Sequence, residues 1–177
     1  ALFKNNQVKD ARQAIKKAKK KGFDAKKLQG LRSQSKSVTD NKVPSQELLN
    51  SLSEHYQNGR LSEAEKLAVS ITQEFPKHQF GWKILGVILK QTGRIIESLT
   101  AIQKSVQLAP QDAEAYSNLG NTLKELARLD EAEACYKKAI ALKLDYVEAH
   151  YNLGNMLQEL GRLDEAEASF RQAIALK

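Results

Sequence analysis

The sequence predicts an all-α solenoid built from antiparallel helix pairs. Three observations carry this. First, the strings starting at Leu119 and Leu153 are near-copies lying 34 positions apart, and the same phase extends backwards: Trp82, Tyr116 and His150 share it, as do Gly86, Gly120 and Gly154. Second, inside each unit the apolar residues recur at spacings of three and four, the period of a buried helical face. Third, Pro76 and Pro110 recur at one phase, where a missing amide donor stops a helix. A period of this length describes stacked supersecondary units rather than one globular core.

Residues 1–32 form a basic segment expected to be helical. Val8–Lys21 can be laid on the second helix of a later unit, which makes this segment a candidate degenerate half-repeat. Residues 33–44, rich in Ser, Lys, Asn and Asp, break the phase and are expected to be a linker. Four units follow, at 45–78, 79–112, 113–146 and 147–177. The first is degenerate, with Leu48 and Leu52 where the aromatic and the glycine stand in later units. In the third, Tyr116, Leu119, Gly120 and Leu123 mark the first helix. Arg128-Leu129-Asp130 interrupts the pattern, and Ala132, Tyr136, Ala139 and Ile140 mark the second helix. Asp145 and Glu148 have the spacing of a capping box for the first helix of the fourth unit. Glycine in mid-helix costs about 1 kcal/mol against alanine. Gly86, Gly120 and Gly154 are therefore expected to mark close helix approach, facing the small residues Ser98, Ala132 and Ala166, with the larger side chains packed around them.

Trp82-x-x-Leu85-Gly86, Tyr116-x-x-Leu119-Gly120, Ala132, Ala139 and Pro110 together resemble the tetratricopeptide repeat pattern, over about three quarters of the chain. The resemblance implies a right-handed superhelix whose first helices line a concave surface. The segment Ala115–Asn121 is similar to repeats of the O-linked N-acetylglucosamine transferase family, in which an asparagine ladder on that surface holds the substrate peptide. Phe75–Trp82 is similar to bacterial multidomain proteins whose arrays precede transferase domains.

Charge is unevenly placed. Residues 1–44 carry 13 Lys and Arg against 3 Asp and Glu, and the rest of the chain 15 against 18, so the overall +7 comes from the N-terminal quarter. Phosphates or anionic lipid are conceivable partners for the lysines between residues 9 and 27. Only Phe3 and Phe23 interleave with those lysines, so nucleic acid and membrane are disfavoured and a solvated helix face is the default. No stretch of about 18 apolar residues is present, and the first residues lack a signal-peptide pattern, which favours the cytoplasm. The single Cys135 excludes an intrachain disulfide.

No catalytic constellation is visible. HExxH, the phosphate-cradling glycine loop and GxGxxG are all missing. The acidic runs at Asp130 and Asp164 open helices, where the dipole favours carboxylates, and His150 sits at a packing position. Catalytic residues, metal ligands and cofactors are therefore none.

The informative polar residues are asparagines. Asn50, Asn118 and Asn152 share one phase, interrupted by Ile84, and Asn121 and Asn155 share another, three residues on. Asparagine is a mediocre helix former, and its amide offers both donor and acceptor. A row of amides can pair with the backbone of an extended peptide whatever its side chains. Asn118, Asn152, Asn121, Asn155, Tyr151 and Asn50 are the expected peptide-binding residues; inter-helix bonding or plain duplication is the competing explanation. The lysine clamp for a C-terminal carboxylate, used by chaperone-binding arrays, is poorly matched, because Lys83 and Lys90 stand in one repeat only and Val87 occupies an asparagine position.

The expected function is a protein- or peptide-binding scaffold. The alternative is the N-terminal, substrate-presenting arm of a larger transferase, resembling a glycosyltransferase, and a weaker one is anionic-surface attachment through the basic segment. Ile174 and its neighbours are expected to be exposed at the C-terminal repeat. That exposure suggests a longer protein, or self-association through the uncapped end.

Overall fold

The computed structural model describes residues 43–177. The segment at 1–32 and the greater part of the expected linker lie outside the described residues. Pro44–Lys177 form one compact unit.

The described residues form eight α-helices and no strands. The first pair is α1 (Gln46–Gln57) and α2 (Leu61–Glu74). The second is α3 (Gln79–Gln91) and α4 (Ile95–Leu108). The third is α5 (Ala113–Glu125) and α6 (Leu129–Leu142), and the fourth is α7 (Val147–Glu159) and α8 (Leu163–Ala175). The architecture is an all-α helical repeat.

The turn inside every pair is made the same way. Gly59, Gly93, Ala127 and Gly161 hold left-handed φ angles of 70°, 78°, 56° and 73°. Their amides, and those of the arginines that follow, bond back to carbonyls of the preceding helix. In the third pair Ala127 N–H reaches Lys124 O at 2.9 Å and Arg128 N–H reaches Leu123 O at 3.0 Å. This satisfies carbonyls that a helix end otherwise leaves without partners. Ala127 alone holds this geometry with a Cβ, which raises the energy of the left-handed conformation. The same arginines stand at the start of the second helices. Arg128 and Arg162 each donate two bonds to the glutamate three residues on, Glu131 and Glu165, at 2.6–2.7 Å.

The glycines of the first helices do mark a close approach, but what crosses them differs from the expectation. A Cβ on Gly86 would lie 2.4 Å from Ile102; on Gly120, 2.6 Å from the Tyr136 ring; on Gly154, 2.7 Å from the Phe170 ring. The large residue of the second helix, not the small one, lies over each glycine. The small residues serve the contact differently: Ser98 Oγ donates to Gly86 O at 2.8 Å, while Ala132 and Ala166 are buried.

The capping box at Asp145 and Glu148 does not form. The N-cap of α7 is Tyr146, with no side-chain cap bond. The capping phase is that of Asp112, whose carboxylate accepts from Ala115 N–H at 3.1 Å, and Asp145 falls one position short of it.

Each first helix packs on its own second helix, on the second helix of the pair before it, and on the next first helix. Among the described residues no second helix packs on another second helix. The array therefore curves toward its first helices. Among the described residues, long side chains bridge second helices, Arg94 to Glu65 and Arg162 to Glu133. The core is two apolar clusters, one centred on Leu52, Ala68, Ile71 and Ile88, the other on Leu123, Tyr136 and Met156. No described helix is long and apolar enough to cross a membrane.

Candidate functional site

Because the array curves toward its first helices, their shared face is the inner surface. Spacings of four, three and four residues set one stripe along each helix. The stripe is Gln46, Asn50, Ser53 and Gln57 on α1, and Phe80, Ile84, Val87 and Gln91 on α3. On α5 it is Glu114, Asn118, Asn121 and Glu125, and on α7 it is Glu148, Asn152, Asn155 and Glu159. The stripe is thus polar in the first repeat, largely apolar in the second, and an asparagine pair flanked by carboxylates in the third and fourth.

From the second repeat on, the last residue of each stripe ties its repeat to the one before. Lys90 Nζ donates to Glu125 at 3.2 Å, Lys124 Nζ to Glu159 at 2.6 Å, and Gln91 Nε2 to the Tyr56 hydroxyl at 3.1 Å. All three pairs join residues 35 apart, so one rung spans every interface between described repeats. Near the helix starts, Lys83 bonds Glu114 at 2.6 Å and Asp112 at 3.2 Å, with Gln79 on the same Asp112 oxygen at 2.7 Å. Burial alone would lower the Lys83 pKa; the bonds and charges of Glu114 and Asp112 outweigh it and raise it, so this lysine stays charged. Each lysine of the described first helices, Lys83, Lys90 and Lys124, is thus committed to a carboxylate of the following repeat, Glu114, Glu125 and Glu159. A ligand carboxylate would have to displace one of these pairs.

The expected site residues differ in how they are held. Asn118 and Asn152 are half-buried, at one phase of consecutive first helices. Among the described residues, the side-chain amides of Asn118, Asn152 and Asn155 take no hydrogen-bond partner. Asn121 is engaged: its Oδ1 accepts from the Tyr136 hydroxyl at 2.8 Å. Asn50 is exposed and accepts from Gln46 at 2.9 Å. Tyr151 is 53% exposed and packs tilted against Phe170, ring centroids 5.8 Å apart. Ile84 is buried in the core, so the amide row runs through the third and fourth repeats and is separated from Asn50.

Sequence reasoning placed Tyr136 on the second helix but not its bond to Asn121, because a fully buried core tyrosine looks like packing alone. Two of the three rungs had a legible signal, lysine followed by glutamate at 35, which gains meaning only once neighbouring first helices are known to touch. His150 Nε2 lies 3.2 Å from Leu144 O, matching the bond Trp82 Nε1 donates to Pro76 O at 2.9 Å; both secure the turn between repeats. Burial and, secondarily, Glu131 push the Cys135 thiol up to about 11, so it is a poor nucleophile. Among the described residues no group of three or more His, Cys, Asp or Glu could hold a metal. An open cleft of about 540 Å³ lies at the starts of α5 and α7, lined by Asp112, Glu114, Tyr146 and Glu148 among others.

These features define a helical-repeat scaffold whose inner face is polar in the first, third and fourth repeats and largely apolar in the second. The tetratricopeptide repeat family matches residues 82–145 and 113–177, together more than half of the chain. The chain belongs to the tetratricopeptide repeat family, and its fold is that of a protein-interaction scaffold. No curated protein matches it by sequence. Among solved structures it is similar to MamA, at 22% identity over 73% of this chain and 75% of that one, with a TM-score of 0.67. It is also similar to part of the O-GlcNAc transferase of Thermobaculum terrenum, at 23% identity over 65% of this chain and 23% of that one, with a TM-score of 0.61. A third is the second tetratricopeptide domain of Spaghetti (RPAP3), bound to the HSP90 peptide SRMEEVD, at 22% identity over 58% and 95%, with a TM-score of 0.54. At these identities the likeness is one of fold.

Proposed function

We propose that this array binds an extended peptide along the inner face of α5 and α7, with Asn118 and Asn152 pairing with the peptide backbone. The observation that carries the reading is the state of these two amides. They stand at one phase of adjacent helices, half-buried, and neither takes a partner among the described residues. A half-buried amide with open donor and acceptor capacity is suited to a ligand that supplies both. An extended backbone does so at every second residue, independent of its side chains. Asn121 and Asn155 flank the pair, and Tyr151 adds an exposed aromatic surface at the end of the row. Asn50 lies on the far side of Ile84 and joins only a longer peptide.

The committed lysines argue against a clamp for a terminal carboxylate. The test is fluorescence anisotropy with peptides selected from a random-sequence library on the intact chain. The Asn118→Ala/Asn152→Ala variant is expected to lose about tenfold or more in affinity while keeping its helical circular dichroism, at roughly 1 kcal/mol per backbone bond. Unchanged affinity would sink the reading.

A second reading has the same groove presenting substrates to an attached transferase. It draws on the likeness to the repeat region of the Thermobaculum terrenum enzyme. Glycosyl transfer by a longer form of the chain, abolished by the same double substitution, would support it; turnover indifferent to the substitution would remove it.

A further inference from the structure

On the inner face the two asparagine pairs are not equivalent, and the difference originates on the second helices. Tyr136 stands on α6, completely buried, its ring laid across Gly120 so closely that a Cβ there would sit 2.6 Å from Cε1. The glycine is an opening through α5. Past it the phenol reaches Asn121 and donates to Oδ1 at 2.8 Å. In the fourth repeat Phe170 crosses Gly154 in the same way, 2.7 Å from the Cβ position, but carries no hydroxyl, and Asn155 is left without a partner among the described residues. In the second repeat the corresponding residues, Ile102 and Val87, are both apolar.

We propose that Tyr136 is a positioning residue for peptide recognition: by holding Oδ1 of Asn121 from the core side, it turns the Asn121 NH2 toward the groove. The third repeat then offers an oriented donor for a peptide carbonyl, and the fourth offers Asn155 as an amide free to rotate. This rests on the peptide-groove reading. The planarity of the amide supplies the geometry. With its oxygen tied to a donor reaching out of the core, the nitrogen lies on the opposite side. Burial, the main cause, with smaller effects from neighbouring acidic groups, holds the phenol pKa above its ordinary value. Tyr136 therefore stays a donor across the physiological range. A ligand meeting an already oriented amide does not bear the cost of ordering it. Position 121 is thus assigned to a peptide acceptor, whereas Asn155 can serve a donor or an acceptor by flipping.

The chain contains its own control, since Phe170 shows that a phenylalanine is accommodated over the glycine. The experiment uses the intact chain, its Tyr136→Phe and Phe170→Tyr variants, and the tightest-binding peptide from a random-sequence library. Two readouts are followed: the side-chain amide resonances of Asn121 and Asn155 without peptide, and peptide affinity. Tyr136→Phe is expected to move the Asn121 resonances, leave those of Asn155 in place, and weaken the peptide roughly three- to five-fold, the scale of one oriented neutral hydrogen bond. Phe170→Tyr is expected to move the Asn155 resonances. Asn121 resonances unmoved by Tyr136→Phe would overturn the proposal without any ligand. If Tyr136→Phe keeps full affinity while Asn118→Ala/Asn152→Ala loses it, the positioning role fails and the groove reading stands. If no library peptide binds the intact chain, both fail.

Discussion

Replacing Gly120 by alanine sets two opposing effects against each other, and the structure decides which wins. Alanine in a helix interior is favoured over glycine by about 1 kcal/mol. Against this, the new methyl would meet Tyr136 Cε1 at 2.6 Å, Cδ1 at 2.8 Å and Cζ at 3.0 Å. The ring cannot swing away freely, because it is wholly enclosed and its hydroxyl is tied to Asn121. Overpacking of a confined core site costs about 1–3 kcal/mol, and a pinned ring places this one toward the upper end. Gly120→Ala should therefore destabilise by roughly 1–2 kcal/mol after the helical gain is subtracted. Gly154→Ala meets Phe170 at nearly the same distances, yet Phe170 is only half-buried and untethered, so it can yield. Its net effect should lie near zero, within about 1 kcal/mol. The assay is urea unfolding followed by circular dichroism, with midpoints compared at constant slope, since arrays of this kind need not unfold in a single step. A stabilised Gly120→Ala chain, or a Gly154→Ala chain harmed as much, would refute the claim that the Tyr136 ring is fixed over the glycine.

Two further substitutions test separate parts of the architecture. Ala127→Gly should stabilise by roughly 0.5–1 kcal/mol, because Ala127 alone among the four turn positions holds a positive φ with a side chain; loss of stability on urea unfolding would show that the methyl makes contacts outweighing the strain. Asp112→Ala removes the α5 cap and leaves Lys83 with Glu114 alone, so a cost of about 2–3 kcal/mol is expected, most of it missing in an Asp112→Asn chain that retains the cap. Equal losses in both would show that charge, not capping, dominates there.

The repeat was legible because its signals are redundant. Apolar periodicity, mid-helix glycines and turn prolines each report the helix pairs, and any one could fail without hiding the unit. Finer contacts escaped for specific reasons. Asp145 and Glu148 have the spacing of a capping box, but phase within the repeat places the cap at 112 and 146, and Tyr146 cannot supply it. The residue over each glycine was misread because small residues suggest closeness. In the structure the glycine instead makes room for a ring or an isoleucine from the partner helix. The left-handed turn at Gly59, Gly93, Ala127 and Gly161 went unread although its phase is regular, since Ala127 breaks the glycine series. The asparagine rows were visible as rows. That Asn121 is held while Asn118, Asn152 and Asn155 have no partner among the described residues follows only from side-chain geometry across two helices.

The most direct test of peptide binding at the inner face is photo-crosslinking from single positions. A benzophenone side chain would replace Glu114, Glu148 (exposed neighbours of the asparagine pairs on the inner face) or, on an exposed face of a second helix, Thr100 in the intact chain, with the library-selected peptide as partner. Binding at the inner face predicts capture of the peptide from positions 114 and 148 and none from position 100. Capture from position 100 with none from 114 or 148 would place the ligand off the first-helix face and contradict it.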